Sequence, residues 1–197
     1  LGMVPGARVS SGETVAVLGA NGKVGEAAIQ IATAAGASVI AIERSRDDYL
    51  GYATGPVDVV NLEKEPNVQK AIMDRTGGKG ANIIMNTVGS PYFDAACNSM
   101  AKRGRQIILT TIVEENMINL RTFYRGNYQM IGVSNMDHDN ILSGTLLEDM
   151  KSGFESGAYK PYPIKPENIY GLEAAREAYK IVLNGLSRDR IVIDPKA

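Results

Sequence analysis

Gly19, Gly22 and Gly25 recur at every third residue, directly after the apolar run 14–18 and directly before a helical pattern. Glycines at that spacing can hold a diphosphate. Gly19 lets the chain turn tightly off a strand, where a Cβ would clash. Gly22 allows the backbone to approach a pyrophosphate, and Gly25 lets the helix lie close to the sheet. The unsatisfied N–H groups of the first helical turn and the helix dipole both favour an anion there. Asn21 lies within the same turn and is placed with these residues.

The next charged group along the chain is Glu43, followed by Arg44 and Arg46. An acid some twenty residues beyond the glycines can accept hydrogen bonds from an adenosine ribose, which favours NAD. Arg44 or Arg46 could instead hold the 2′-phosphate of NADP, were Glu43 to rotate towards Arg44. The reading leans slightly to NAD. In an open parallel sheet, ligands lie at the carboxyl edge. Strand ends there would carry Asn61, then Thr87, Val88 and Gly89, then Thr110 and Ile112, then Ser134. Small and hydroxyl residues of this kind suit contact with a ribose or a carboxamide.

Other chemistry finds less support. His138 is the only histidine and Cys97 the only cysteine, so no metal cluster of the usual nitrogen and sulfur type can be assembled. His138 reads as a surface residue ahead of a helix. Cys97, in line with Phe93 and Met100, reads as buried filler rather than a nucleophile. A net charge of −1 without a basic cluster gives no case for nucleic acid. No apolar run reaches membrane-spanning length. A single cysteine excludes an internal disulfide and points to a reducing cytoplasm. The start on Leu1 rather than Met points to residues upstream.

The elements that must position these groups follow from periodicity. Residues 1–13 read as a connector with turn signals. Apolar runs at 14–18, 38–42, 57–61, 81–86, 106–110 and 128–133 read as six strands. The first helix carries a buried stripe of Val24, Ala27, Ala28, Ile31, Ala32 and Ala35. Residues 46–55 read as a short polar helix or turn, 67–76 as a short helix, and Phe93, Ala96, Cys97 and Met100 as another helical stripe. The stretch 112–124 is irregular. Leu142, Leu146, Met150 and Phe154 mark a long helix, 172–184 a last helix, and 191–193 a closing strand. This alternation predicts an α/β fold, a doubly wound parallel six-stranded sheet of Rossmann type over residues 1–156. Residues 157–197 form a short C-terminal extension.

The ordered set of motifs resembles the cofactor domain of the medium-chain dehydrogenase/reductase superfamily, in its zinc-independent quinone-oxidoreductase branch. The matching stretches run from Ser11 to Ala32, then Gly78-Lys79-Gly80-Ala81, Asn86-Thr87-Val88-Gly89, Arg103-Gly104-Arg105-Gln106-Ile107-Ile108 and Tyr124-Arg125-Gly126-Asn127. Leu172-Glu173-Ala174-Ala175 and Arg190-Ile191-Val192-Ile193 complete the set. The resemblance implies that Gly22, Lys23, Val24 and Gly25 meet the pyrophosphate, and Glu43 and Arg44 the adenosine ribose or its phosphate. Val88, Gly89, Ile112 and Ser134 would line the nicotinamide side. Asn21 and Lys23 depart from the branch's usual small residues, and Asn86 stands where an aspartate is often found.

Nothing in the chain corresponds to the family's GroES-like substrate half. The resemblance therefore implies the cofactor-binding part of a larger NAD(P)H-dependent oxidoreductase, inactive alone, that reduces a quinone, enone or carbonyl small molecule. The alternatives are a stand-alone dinucleotide-binding sensory module, or an enoyl-reductase domain of a polyketide or fatty-acid synthase. The sixth strand with residues 124–127 is a candidate edge for a homodimer.

Overall fold

The computed structural model describes all residues except Asn135, Asp137, His138, Arg188 and Ala197. The reading of His138 lies outside the described residues. The chain divides into two compact units, Leu1–Lys160 and Pro161–Ala197.

The first unit is built on six parallel strands: β1 (Thr14–Leu18), β2 (Ser38–Glu43), β3 (Val57–Asn61), β4 (Ala81–Asn86), β5 (Met100–Ile108) and β6 (Gln129–Gly132). Their order is β3-β2-β1-β4-β5-β6. The chain thus winds outwards from β1 in one direction, then returns to β4 and winds in the other. Between β1 and β4 the strand order reverses, and a crevice opens at the carboxyl ends of the two strands. Alternate residues of the strands feed two cores: Val15, Val17, Ile83 and Ile107 face one side, Ala16, Leu18, Ile40 and Ile84 the other.

Helix α1 (Lys23–Ala34) covers the first of these faces, and α2 (Val68–Arg75) and α3 (Phe93–Cys97) the second. Asn67 caps α2 by accepting from the Lys70 N–H at 2.9 Å. The buried face of α1 differs from the expected stripe. Ala28, Ile29 and Ala32 are buried against the sheet, whereas Val24 and Ala27 are exposed. Glu26, Gln30 and Thr33 are buried as well. The reason lies in irregular backbone packed along that flank. Glu26 accepts from the Tyr52 N–H (3.4 Å), Thr33 Oγ1 from the Thr54 N–H (3.2 Å), and Gln30 exchanges two bonds with the Lys160 backbone (2.7 and 3.2 Å). The Gln30 pair, with the Tyr52 hydroxyl on the Gly157 carbonyl at 2.7 Å, keeps residues 157–160 in the first unit.

Three further expectations are revised. Residues 1–13 are no loose connector: Met3 and Ala7 are buried, and a π-helical turn, Gly2–Gly6, covers the sheet face beside α1. Arg105 of β5 fixes that segment, donating to the Ala7 carbonyl at 2.8 and 3.0 Å and to both Glu13 oxygens at 2.7 and 2.9 Å. Burial alone would raise the Glu13 pKa, but the bonds from Arg105 and the Ser10 N–H bring it below the ordinary value. Met100 opens β5 instead of ending a helix, because a register shift at Ala81/Ile83 lets the strand start early. Arg103 sits at that irregularity with φ of 64°.

Within 112–124 a helix does begin, α4 (Leu120–Gly126), capped by Asn119 and closed by Asn127 in the left-handed conformation. Of the two readings for 46–55, the turn is the one observed, as bends without a helix. The long helix α5 (Asn140–Glu155) forms, but none of its side chains is buried.

In the second unit, α6 (Ala175–Leu183) follows a 3₁₀ turn, Leu172–Ala174. A two-stranded parallel sheet joins β7 (Ile169–Tyr170) and β8 (Val192–Ile193).

Candidate coenzyme site

The turn from β1 into α1 sits at the crevice where the strand order reverses. Gly19 has φ of 74°, and a Cβ there would meet Thr87 Oγ1 at 2.5 Å. A Cβ on Gly25 would collide with the Gly19 carbonyl and the Ala20 backbone, so the helix reaches this position only with glycine there. Gly22 is the N-cap of α1, with no side chain capping it. The first-turn N–H groups, those of Lys23, Val24 and Gly25, have no partners within the helix. A Cβ on Gly22 would stand 3.1 Å from the Gly19 carbonyl oxygen, closer than Cβ atoms ordinarily come. Open N–H groups, a helix dipole and a missing Cβ together make a cradle for a diphosphate.

Glu43, at the tip of β2, is beside this cradle. Its carboxylate accepts from the Asn21 backbone N–H, so it is tied to the glycine turn rather than turned towards Arg44. Arg44 and Arg46 are exposed, and neither forms an ion pair within the described residues. Asn61, at the tip of β3, is buried and already engaged. Its amide donates to Asp47 at 2.9 Å and its oxygen accepts from the Glu63 N–H at 3.0 Å. Lys64 holds Asp47 from the other side at 2.6 Å.

Beyond β4, Asn86 shapes the 87–89 loop. Its oxygen accepts from the Val88 and Gly89 N–H groups at 3.1 and 2.8 Å, and its amide donates to the Gly89 carbonyl at 2.9 Å. An aspartate could not supply that last bond, which accounts for asparagine here. Thr87 Oγ1 donates to the Leu18 carbonyl at 2.6 Å, stapling β4 to β1 at the crevice floor. Gly89 has φ of 92° and lies so close to Thr110 and Thr111 that a Cβ would be 3.0 Å from their backbone. Ser90 Oγ then ties the loop after β5, accepting from the Ile112 and Val113 N–H groups at 2.9 and 3.1 Å.

The expected site residues thus fall along one sheet edge, with different surroundings. Gly19, Gly22, Lys23, Val24, Gly25 and Glu43 cluster at the cradle. Val88 packs partly into the core, Thr110 is exposed, and Ile112 is 74% exposed. Ser134 borders a groove of about 440 Å³ whose other walls include Val24, Ala27, Leu109 and Val133. The exposed apolar side of α1 is one wall of that groove. The sequence reading missed the structural parts played by Asn86, Ser90 and Asn21. An Asx residue three positions before a glycine in a turn is a signal that could have identified the first.

Cys97 is partly buried, and its thiol donates to Gln106 Oε1 at 3.3 Å. Burial and the Asp94 carboxylate push its pKa up to about 11. At pH 8 only about one such thiol in a thousand is ionised. Reaction with a disulfide reagent is therefore expected to be about 100-fold slower than for an exposed cysteine and to reach the ordinary rate in guanidinium. A fast reaction in the folded protein would contradict this placement.

The fold and the cradle define a class: a doubly wound α/β domain of the dinucleotide-binding kind. Residues 24–149 match the zinc-binding dehydrogenase family, and the chain belongs to it as the NAD(P)-binding part of its oxidoreductases. Highly-reducing polyketide synthase 1 of Aureobasidium melanogenum is 26% identical over 197 residues, which is 96% of this chain and 9% of that protein. The CurF ER cyclopropanase from the curacin A biosynthetic pathway superposes with a TM-score of 0.80 at 24% identity, covering 98% of this chain and 57% of that one. Escherichia coli quinone oxidoreductase, solved in complex with NADPH, superposes with a TM-score of 0.74 at 19% identity, covering 95% and 58%. The chain thus spans a small part of that synthase and under two thirds of each solved chain.

Among the described residues no group of three or more His, Cys, Asp or Glu side chains could hold a metal. The one cysteine holds its proton against Gln106. The dinucleotide fits, by the glycine cradle. Among the described residues no helix is long and apolar enough to cross a membrane.

Proposed function

We propose that this chain binds NAD(H) in preference to NADP(H), and serves an oxidoreductase that reduces a quinone, enone or carbonyl. The observation that carries the reading is the N-terminus of α1, whose N-cap Gly22 offers no side chain to cap it, with the Glu43 carboxylate beside it. When bound, the coenzyme would supply or accept a hydride. The N–H groups of Lys23, Val24 and Gly25 hold its diphosphate, and Glu43 accepts from an adenosine hydroxyl. The 87–89 loop, held by Asn86, and Ser134 border the nicotinamide end, and the apolar groove beside Val24 and Leu109 keeps water from a flat ring.

Positioning of the acceptor belongs to chain outside this sequence, of the GroES-like kind, since hydride transfer needs the acceptor carbon fixed over the ring. The second unit supports this reading. A two-stranded parallel sheet is marginal alone, and Leu172, Tyr179, Leu183 and Leu186 are exposed on it. We assign residues 161–197 to an extension that packs with that half, residues 157–160 staying with the first unit. β6 is the outer strand of the large sheet, beside an exposed Tyr124, and is the edge we assign to a homodimer. The single cysteine supports a reducing cytoplasm.

A second reading, an enoyl-reductase domain within a polyketide synthase, is favoured by the match to a synthase over 96% of the chain. Catalytic domains in frame on either side of this segment would select it. The coenzyme preference is tested by paired NADH and NADPH fluorescence titrations of wild type and Glu43→Ala. Wild type is expected to bind NADH more tightly, and the variant to lose about 10-fold in NADH affinity, as for one hydrogen bond to a charged group, with NADPH unharmed. Loss of NADPH binding alone on replacing Arg44 would reverse the preference.

A further inference from the structure

Sequence spacing groups Asn21 with the residues that touch a ligand, but its side chain points elsewhere. It is buried, and both ends of its amide grip the backbone after β2. Nδ2 donates to the Asp48 carbonyl at 3.1 Å, and Oδ1 accepts from the Leu50 N–H at 2.8 Å. Its own N–H holds Glu43. One residue therefore joins the diphosphate turn, the ribose acid and the segment 44–56, which has no helix or strand of its own. The rest of that segment is held by Asn61 and Lys64 on Asp47, the Glu63 N–H on the Arg44 carbonyl, Glu26 on the Tyr52 N–H, the Tyr52 hydroxyl on the Gly157 carbonyl and Thr33 on the Thr54 N–H.

This arrangement bears on which coenzyme can enter. A 2′-phosphate needs a guanidinium brought close enough for paired hydrogen bonds, and needs the Glu43 carboxylate moved aside. Arg44 and Arg46 are carried at the start of the segment and point into solvent. Where either guanidinium can reach depends on the path of the backbone between Glu43 and Leu50. Asn21 restrains both ends of that stretch: Glu43 through its N–H, and Asp48 with Leu50 through its amide.

We infer that Asn21 is a positioning residue for coenzyme discrimination: its grip on residues 48–50 and on Glu43 keeps the site shaped for an unphosphorylated adenosine ribose. The inference rests on the coenzyme reading above. It is tested by fluorescence titration of wild type, Asn21→Ala and Asn21→Asp with NADH and with NADPH, with thermal unfolding measured in parallel. Asn21→Ala removes both side-chain bonds, and NADH affinity is expected to fall about 10-fold while NADPH affinity holds or rises. Asn21→Asp keeps the bond from the Leu50 N–H and loses the one to the Asp48 carbonyl, so its NADH-to-NADPH ratio should lie between the other two.

A merely structural role would weaken both coenzymes by the same factor, and that result, or no change in either, would overturn the inference. Should the alanine variant not fold, the aspartate variant carries the same comparison. If wild type binds neither coenzyme, the underlying reading falls and this inference with it. If wild type binds NADPH better than NADH, the proposed coenzyme preference falls and this inference with it, while equal losses for both coenzymes in the Asn21 variants overturn the inference alone.

Discussion

Gly22→Val is expected to abolish the fluorescence change of NADH while leaving the fold intact. Gly22 has φ of −76° and ψ of 159°, a conformation open to any L-residue, so the backbone loses little by the change. The cost falls on the ligand. A Cβ at this position lies 3.1 Å from the Gly19 carbonyl oxygen, so the turn must give by a few tenths of an ångström, and the branched side chain is expected to crowd a diphosphate held by the N–H groups of Lys23 and Val24. Loss of two hydrogen bonds to a charged diphosphate, at about 1.5 kcal/mol or more each, weakens binding by about 100-fold. The check is a titration of both proteins alongside their melting curves. Equal NADH affinity in the two would remove the cradle from the account.

Arg105→Ala should produce the largest loss of stability. The guanidinium is 16% exposed, as is the Glu13 carboxylate it binds with two parallel bonds, and its remaining donors satisfy the Ala7 carbonyl. Removing it leaves a largely buried carboxylate without its partner and frees the turn that brings Met3 into the core. A broken pair of this kind costs about 3 kcal/mol, which in a chain of this length lowers the thermal midpoint by roughly 10 °C. Differential scanning calorimetry decides it. Glu13→Ala together with Arg105→Ala should be less damaging than the arginine change alone would suggest, because no charge is then left unpaired. An arginine variant that melts with wild type would show that residues 1–13 contribute no stability through this pair.

Much of the sheet is legible in the sequence because its strands are buried on both faces and so are written as continuous apolar runs. Thr14–Leu18 and Ala81–Asn86 form with the bounds their composition predicts. The face of α1 is not legible in the same way. Hydrophobic periodicity points to Val24 and Ala27, but the flank with Glu26, Gln30 and Thr33 is covered by irregular backbone whose donors those polar side chains satisfy. Which loop covers a helix depends on tertiary packing, and no local pattern records it. The docked N-terminal turn is hidden for a similar reason, since Arg105 lies far along the chain from Ala7 and Glu13.

The site divides along the same line. The glycine cradle can be read directly, because a missing Cβ at Gly19 and Gly25 is a local demand of the strand-to-helix bend. Glu43 follows from its spacing. The grip of Asn21 on residues 48–50 and the staple from Thr87 to Leu18 bring together segments that meet only in the folded chain. Residue type there shows a polar group without revealing its partner.

The central claim is that the first-turn amides of α1 hold a dinucleotide's diphosphate, and it can be tested at the atoms concerned. In a ¹⁵N-labelled chain titrated with NADH, the amide resonances of Lys23, Val24 and Gly25 should shift the most, with those of Glu43 and Gly89 following. Saturable binding that leaves these three resonances in place, or that shifts instead Lys79 and Lys102 at the opposite edge of the sheet, would contradict it.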